Sequence, residues 1–141
     1  KWRHGAVQPC CMHAPSAESF HECIRRRVGE HVLHVDPAAS LFPEFKIRVC
    51  KRDARGRFAA GPTHSCDLLV VLRSGSVIVF EVDGTSHGRV EAQRRDALKD
   101  MWLRSRGVKC VRVGMMQCAT HGGLCAEMQR VCNAIRDSNV S

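Results

Sequence analysis

Two apolar runs separated by four residues constrain this chain more than anything else in it. Residues 66–72 read CDLLVVL and residues 77–83 read VIVFEVD, joined by RSGS, a tight-turn sequence. Runs of this length and content are buried strands, and so short a connection makes them an antiparallel hairpin. Helical patterns before and after these strands make the class α/β.

Three acids interrupt that apolar pair. Asp67 begins one strand, while Glu81 and Asp83 end its partner. Antiparallel pairing brings these positions near each other across the ladder, and the period of two puts Glu81 and Asp83 on one face. Each acid alone could be a solvated strand end. As a set, embedded in Val, Ile, Leu and Phe, they oppose strand propensity and repel one another unless a cation sits among them. A hard divalent ion with oxygen ligands, Mg²⁺ (or Mn²⁺), suits such a group. It would polarise a phosphate and lower the pKa of a bound water. The stretch ends FEVDGTSH, so His87 is a general-base or leaving-group-acid candidate, with a surface or core-satisfied histidine as the plain alternative.

The rest of the chain supplies the flanking elements. Ser16 can cap a helix with Glu18 in its first turn and a core stripe of Phe20, Ile24 and Val28, stopping at Gly29. Residues 44–50 alternate as a half-buried strand, and 51–63, rich in basic residues with Gly and Pro, read as a loop. Residues 90–106 read as a helix with Leu98, Met101, Trp102 and Ser105 on one face and Gly107 as its stop. Residues 108–113 are a further strand. Leu124, Met128, Val131 and Ile135 mark a closing helix within a C-terminal extension, 114–141. The expected order is α-β-β-β-α-β-α in one domain, residues 1–141, with its core at about 16–113. The first residue is Lys1 rather than Met, which reads as a piece of a longer protein or a processed product.

The 141 residues carry a net charge of +8, which suits a polyanionic partner, nucleic acid or an anionic surface, or simply a basic domain. No apolar run approaches the ~20 residues needed to span a bilayer, so no membrane partner is expected. Nine scattered cysteines in a cored chain read as reduced, buried thiols and point to an intracellular compartment. Residues 118–125, CATHGGLC, offer Cys118, His121 and Cys125 for a structural Zn²⁺ with a fourth ligand from elsewhere. The alternative is buried thiols and surface histidines.

The ordered set Asp67, Glu81, Asp83, Gly84, His87, Arg95, Asp96, Leu98, Gly107 and Arg112 resembles the PD-(D/E)xK nuclease superfamily. It is most similar to the restriction-endonuclease-like branch that includes the very-short-patch repair endonucleases. The resemblance covers about residues 16–113 and implies an αβββαβ core with a mixed sheet flanked by helices. It implies a metal-dependent endonuclease hydrolysing phosphodiester bonds, DNA before RNA. Asp67 and Glu81 would be metal ligands, with Asp83 joining them where the superfamily often has a catalytic Lys, which leaves open what activates water. The branch also carries a first-helix Glu facing the site, either Glu18 or Glu22, with Glu22 preferred. Asp96 and Lys99 would orient a ligand or touch a phosphate, or form an exposed i, i+3 link. Lys51, Arg52, Arg55, Arg57, Arg89, Arg94 and Arg95, with the arginines at 25–27, would hold a nucleic-acid backbone. The alternative reading is a non-catalytic RNA-binding module of the RAP type, which resembles the same fold and carries a similar Asp-Gly-x-Ser-His stretch.

Overall fold

The two apolar runs form the expected hairpin, and the remaining elements cover it. The computed structural model describes residues 19–84 and 90–140, without the side chains of residues 51, 62, 91 and 92. The elements are α1 (Phe20–Val35), β1 (Ser40–Arg52), β2 (Phe58–Val71), β3 (Val77–Asp83), α2 (Val90–Ser105), β4 (Lys109–Gly114), a 3₁₀ turn (Gln117–Ala119) and α3 (His121–Asn139). The class is mixed α/β and the order is the one the sequence predicts. The sheet runs β1-β2-β3-β4, antiparallel at the first two pairings and parallel between β3 and β4. A parallel neighbour requires a crossover, and α2 makes it.

Both faces of the sheet are covered around β3, but unequally: α1 and α3 bury one, and α2 only half-covers the other, where Leu69 and Val71 stay half-buried. Ile24, Val28 and Val32 of α1 and Leu124, Met128, Val131 and Ile135 of α3 pack on Leu68, Val70, Ile78, Phe80 and Val82. On the other face Leu103 and Trp102 of α2 pack with Ile47, Cys66 and Val79. Ile78 and Val79 are neighbours in sequence, fully buried, and serve opposite layers. Residues 114–141, expected as an extension, therefore supply half of one helical layer.

Four expectations need correction. Helix α1 is capped by Ser19, whose side chain accepts the Glu22 N–H at 3.1 Å; Ser16 and Glu18 lie outside the described residues. It runs through Gly29, which is buried: a Cβ there would stand 3.3 Å from Leu41 Cδ1, so the glycine admits a close neighbour instead of stopping the helix. Residues 51–63 are not a loop. The β1–β2 ladder continues to Arg52↔Phe58, and only the turn at 53–57, with Gly56 at φ 77°, is irregular. The loop-like Gly61 sits where the register shifts, in a place where a Cβ would clash with the Val49 carbonyl oxygen. Finally, α2 buries Lys99 and Leu103, at 5 % and 2 % exposure, while Leu98 and Met101 face outward at 43 % and 66 %.

Candidate active site

Asp67 marks a break in strand geometry. The β2–β3 ladder runs from Val71↔Val77 to Leu68↔Phe80. Two residues apart on β2, Leu68's neighbour Cys66 ought to share its face, yet Cys66 packs on the α2 side and Leu68 on the α1/α3 side. At the break the side chains replace ladder bonds. Asp67 Oδ2 accepts the Val82 N–H at 2.7 Å, and Glu81 Oε2 accepts the Asp67 N–H at 3.4 Å. The two carboxylates are thereby fixed beside each other by each other's strand.

Glu81 lies almost fully buried, and the Lys99 ammonium reaches its Oε1 at 2.5 Å from α2. Burial pushes the Glu81 carboxyl up to about 7, against the pull of Lys99; the adjacent Asp67 charge adds to the rise. Burial works against the Lys99 charge too, but its hydrogen bond to Glu81 prevails and holds the ammonium above its ordinary value. Burial, then Glu81, also lifts the neighbouring Cys66 thiol to about 11, so that sulfur stays a neutral thiol. On the opposite side His21 of α1 places Nε2 3.3 Å from Asp67 Oδ2. His21, Asp67, Glu81 and Lys99 line a cavity of about 450 Å³ that also takes in Ser65, Asp83, Asp96 and Arg112.

Asp83 is on the same face as Glu81, as its spacing predicts, and lines the same cavity, but its charge is taken up by Arg112 instead of being grouped with Asp67 and Glu81. Arg112 on β4 takes it at 2.9 Å and takes Asp100 of α2 at 2.7 Å. Burial opposes that guanidinium charge, and the two carboxylates outweigh it, raising the Arg112 pKa. The expected three-carboxylate group is therefore two carboxylates and a lysine. Among the described residues no group of three or more His, Cys, Asp or Glu is placed to hold a metal.

Other predicted residues are distributed as follows. His87 and Arg89 lie outside the described residues. Glu22 lines a different cavity, with Arg25 and Leu41, because one helical step of about 100° separates it from His21. Arg94 and Arg95 are exposed at the start of α2, and Arg52, Arg55 and Arg57 are exposed on the β1–β2 hairpin, where Lys51 also lies. The arginines at 25–27 are already paired, Arg25 with Glu44 and Arg26 and Arg27 with Glu30. The proposed zinc ligands do not converge: Cys118 is fully buried in the core, whereas exposed His121 lies beside Cys125, with 3.9 Å between Nε2 and Sγ. The seven cysteines among the described residues are free thiols. No described helix is long and apolar enough to cross a membrane.

Two site residues differ from the sequence reading. His21, which the sequence offers only as a zinc-ligand candidate beside Cys23, stands instead against Asp67. Lys99, expected at a phosphate or on an exposed face, is buried against Glu81; its only sequence signal was a charge three residues after Asp96. Comparison with family models, with curated proteins and with solved structures finds no match for this chain.

Proposed function

We propose that this chain is a metal-dependent endonuclease of the PD-(D/E)xK kind, with Lys99 in the role that the superfamily's strand lysine usually fills. The observation that carries the reading is the meeting of Asp67, Glu81 and Lys99 in one cavity, with His21 on its other wall. Two carboxylates fit Mg²⁺ or Mn²⁺, which commonly binds one or two protein carboxylates and completes its shell with water and substrate phosphate. Asp67 and Glu81 would hold it, and when bound it supplies Lewis-acid polarisation of the phosphate and a more acidic water.

The chain's own groups do the rest. Lys99 brings a buried positive charge to the point where a phosphodiester gains negative charge on attack. Its hydrogen bond to Glu81 favours the ionised carboxylate against burial. His21, beside Asp67, is placed to move a proton at the mouth of the cavity. Arg112 pairs with Asp83 and Asp100 and so offsets part of the negative charge that a polyanion would meet at the cavity.

The test is cleavage of supercoiled plasmid, single-stranded DNA and RNA in Mg²⁺, Mn²⁺ or EDTA, by the wild type and by Asp67→Ala, Glu81→Ala and Lys99→Ala. Metal-dependent cleavage that each substitution lowers by about 100-fold or more is the expected result. A second reading, a non-catalytic RNA-binding module, draws on the Arg112 ion pair that occupies Asp83. RNA binding that persists in all three variants, without cleavage, would favour it.

A further inference from the structure

The β1–β2 hairpin outruns the sheet. Strand β2 pairs with β3 only through residues 68–71, whereas its pairing with β1 continues to Arg52↔Phe58. Beyond Ser65 the two strands form a two-stranded ribbon. Its root is fixed, because Ile47 and Val49 are buried at 8 % and 6 %. Residues 52–60 are exposed throughout, on both faces of the ribbon.

The ribbon concentrates the chain's charge. Residues 46–65 hold six cationic side chains and one acid, so they contribute +5 of the net +8. That acid, Asp53, is turned inward: its Oδ1 accepts the Arg55 and Arg57 N–H groups at 2.8 and 2.9 Å and so caps the turn. Lys46, Arg48, Arg55 and Arg57 form no ion pair with a described residue; the nearby Glu44 is taken by Arg25. Lys46 and Arg48 lie opposite Ser65 and Thr63, small polar partners that leave the cations standing clear. From Lys46 to Arg52 the stripe spans roughly 20 Å at about 3.3 Å per residue, equivalent to about six base pairs.

We propose that this ribbon is a grip for B-form duplex DNA that enters the major groove. A two-stranded ribbon fits a groove about 12 Å wide, while the A-form major groove of duplex RNA is too narrow to admit side chains. Single-strand platforms stack successive bases on several open aromatic faces. The ribbon offers one ring, Phe58, and the Arg52 guanidinium covers a face of it at 4.8 Å. The ribbon also points the duplex at the cavity, because Ser65, at its root and paired with Lys46, lines the same cavity as Asp67 and Glu81. The inference rests on the nuclease reading for what is cut, but not for what is gripped.

The experiment is fluorescence anisotropy in EDTA, where binding is read without cleavage, on the full chain. The probes are a mixed-sequence DNA duplex of about 20 base pairs, the matching RNA duplex and the single DNA strand, each over a range of salt. The DNA duplex is expected to bind tightest, by about tenfold over the RNA duplex. Arg48→Ala/Arg52→Ala/Arg55→Ala/Arg57→Ala should weaken it by about tenfold or more and flatten the salt slope by roughly 0.9 for each phosphate no longer neutralised. Arg104→Ala/Arg136→Ala should leave it unchanged, and Arg48→Glu alone should shift it in the same direction as the quadruple change. Equal or tighter binding of RNA or single strand, an unaltered affinity in the quadruple variant, or no binding to any probe would overturn the proposal. Duplex binding that needs the ribbon, from a protein that cuts nothing in Mg²⁺, would sink the nuclease reading and leave this one standing.

Discussion

Asp36 and Glu81 are almost equally hidden from solvent, at 3 % and 6 % exposure, but Glu81 lies far deeper, and their environments treat them in opposite ways. Asp36 is the C-cap of α1. Its carboxylate accepts the Arg73 N–H at 2.8 Å, the Asn139 amide at 3.2 Å and the Ala38 N–H at 3.3 Å. The Arg73 N–H, foremost, and these other donors outweigh burial and hold its pKa below the ordinary value. Glu81 has one flexible ammonium, a long bond to the Asp67 N–H and a second carboxylate at its side, and burial carries its pKa up. Solvent exposure alone does not decide which way an acid shifts; depth and donors together do. Asp36 is saturated by neutral groups and joins three elements. Glu81 depends on one charge, beside a cavity, which is how an acid kept for binding or catalysis looks.

The largest test of that contrast removes the lysine. Lys99→Met leaves Glu81 buried without its cation and should cost about 3–5 kcal/mol at about pH 8, by urea denaturation. Because the folded-state pKa of Glu81 is raised, its favourable contribution is present below the ordinary value near 4.5 and lost as pH rises through about 7. Lys99→Met should therefore recover much of its lost stability at about pH 5, and an equal deficit at both pH values would break the contrast. Asp36→Ala should cost about 2–3 kcal/mol by orphaning its donors. Its sign is the reverse: a lowered folded-state pKa gives stability that is present above 3.8 and lost as pH falls below it. The wild type should thus lose stability between about pH 4 and pH 2 more steeply than Asp36→Asn, measured by urea midpoints across that range. The smallest effect belongs to the intermediate case. Asp83 and Arg112 are about a third exposed, so Arg112→Ala should cost only about 1 kcal/mol, with little pH dependence above about pH 5. A loss comparable to that of Lys99→Met would place Asp83 with the buried acids instead.

What the sequence revealed follows the same division. The CDLLVVL/VIVFEVD hairpin, the RSGS turn with Gly75 at φ 88° and the closing helix were legible because apolar period and turn chemistry agree there. The Asp67–Glu81 pairing was legible because hairpin register is local arithmetic. The Lys99–Glu81 pair was not, because hydrophobic patterning assigns Leu98 and Met101 inward and a lysine outward, and a buried acid inverts that rule. The ribbon was hidden because Gly61, Pro62 and a run of cations imitate a loop. His21 was not expected at the site, where Glu22 was preferred over Glu18, because which residue of the first turn faces the sheet turns on a single helical step.

The joint at Asp36 also bears on synthesis. Its partner Asn139 lies 103 residues downstream, and the Ser74 and Ser76 hydroxyls reach the Ser138 carbonyl oxygen at 3.3 and 3.2 Å. One layer over the sheet is thus assembled from α1, near the start of the described chain, and α3, at its end. A nascent chain that has emerged only as far as β4 exposes the apolar face of Leu68, Val70, Ile78 and Phe80 that α3 will cover. Folding of this unit on the ribosome must therefore wait for the last of its described helices.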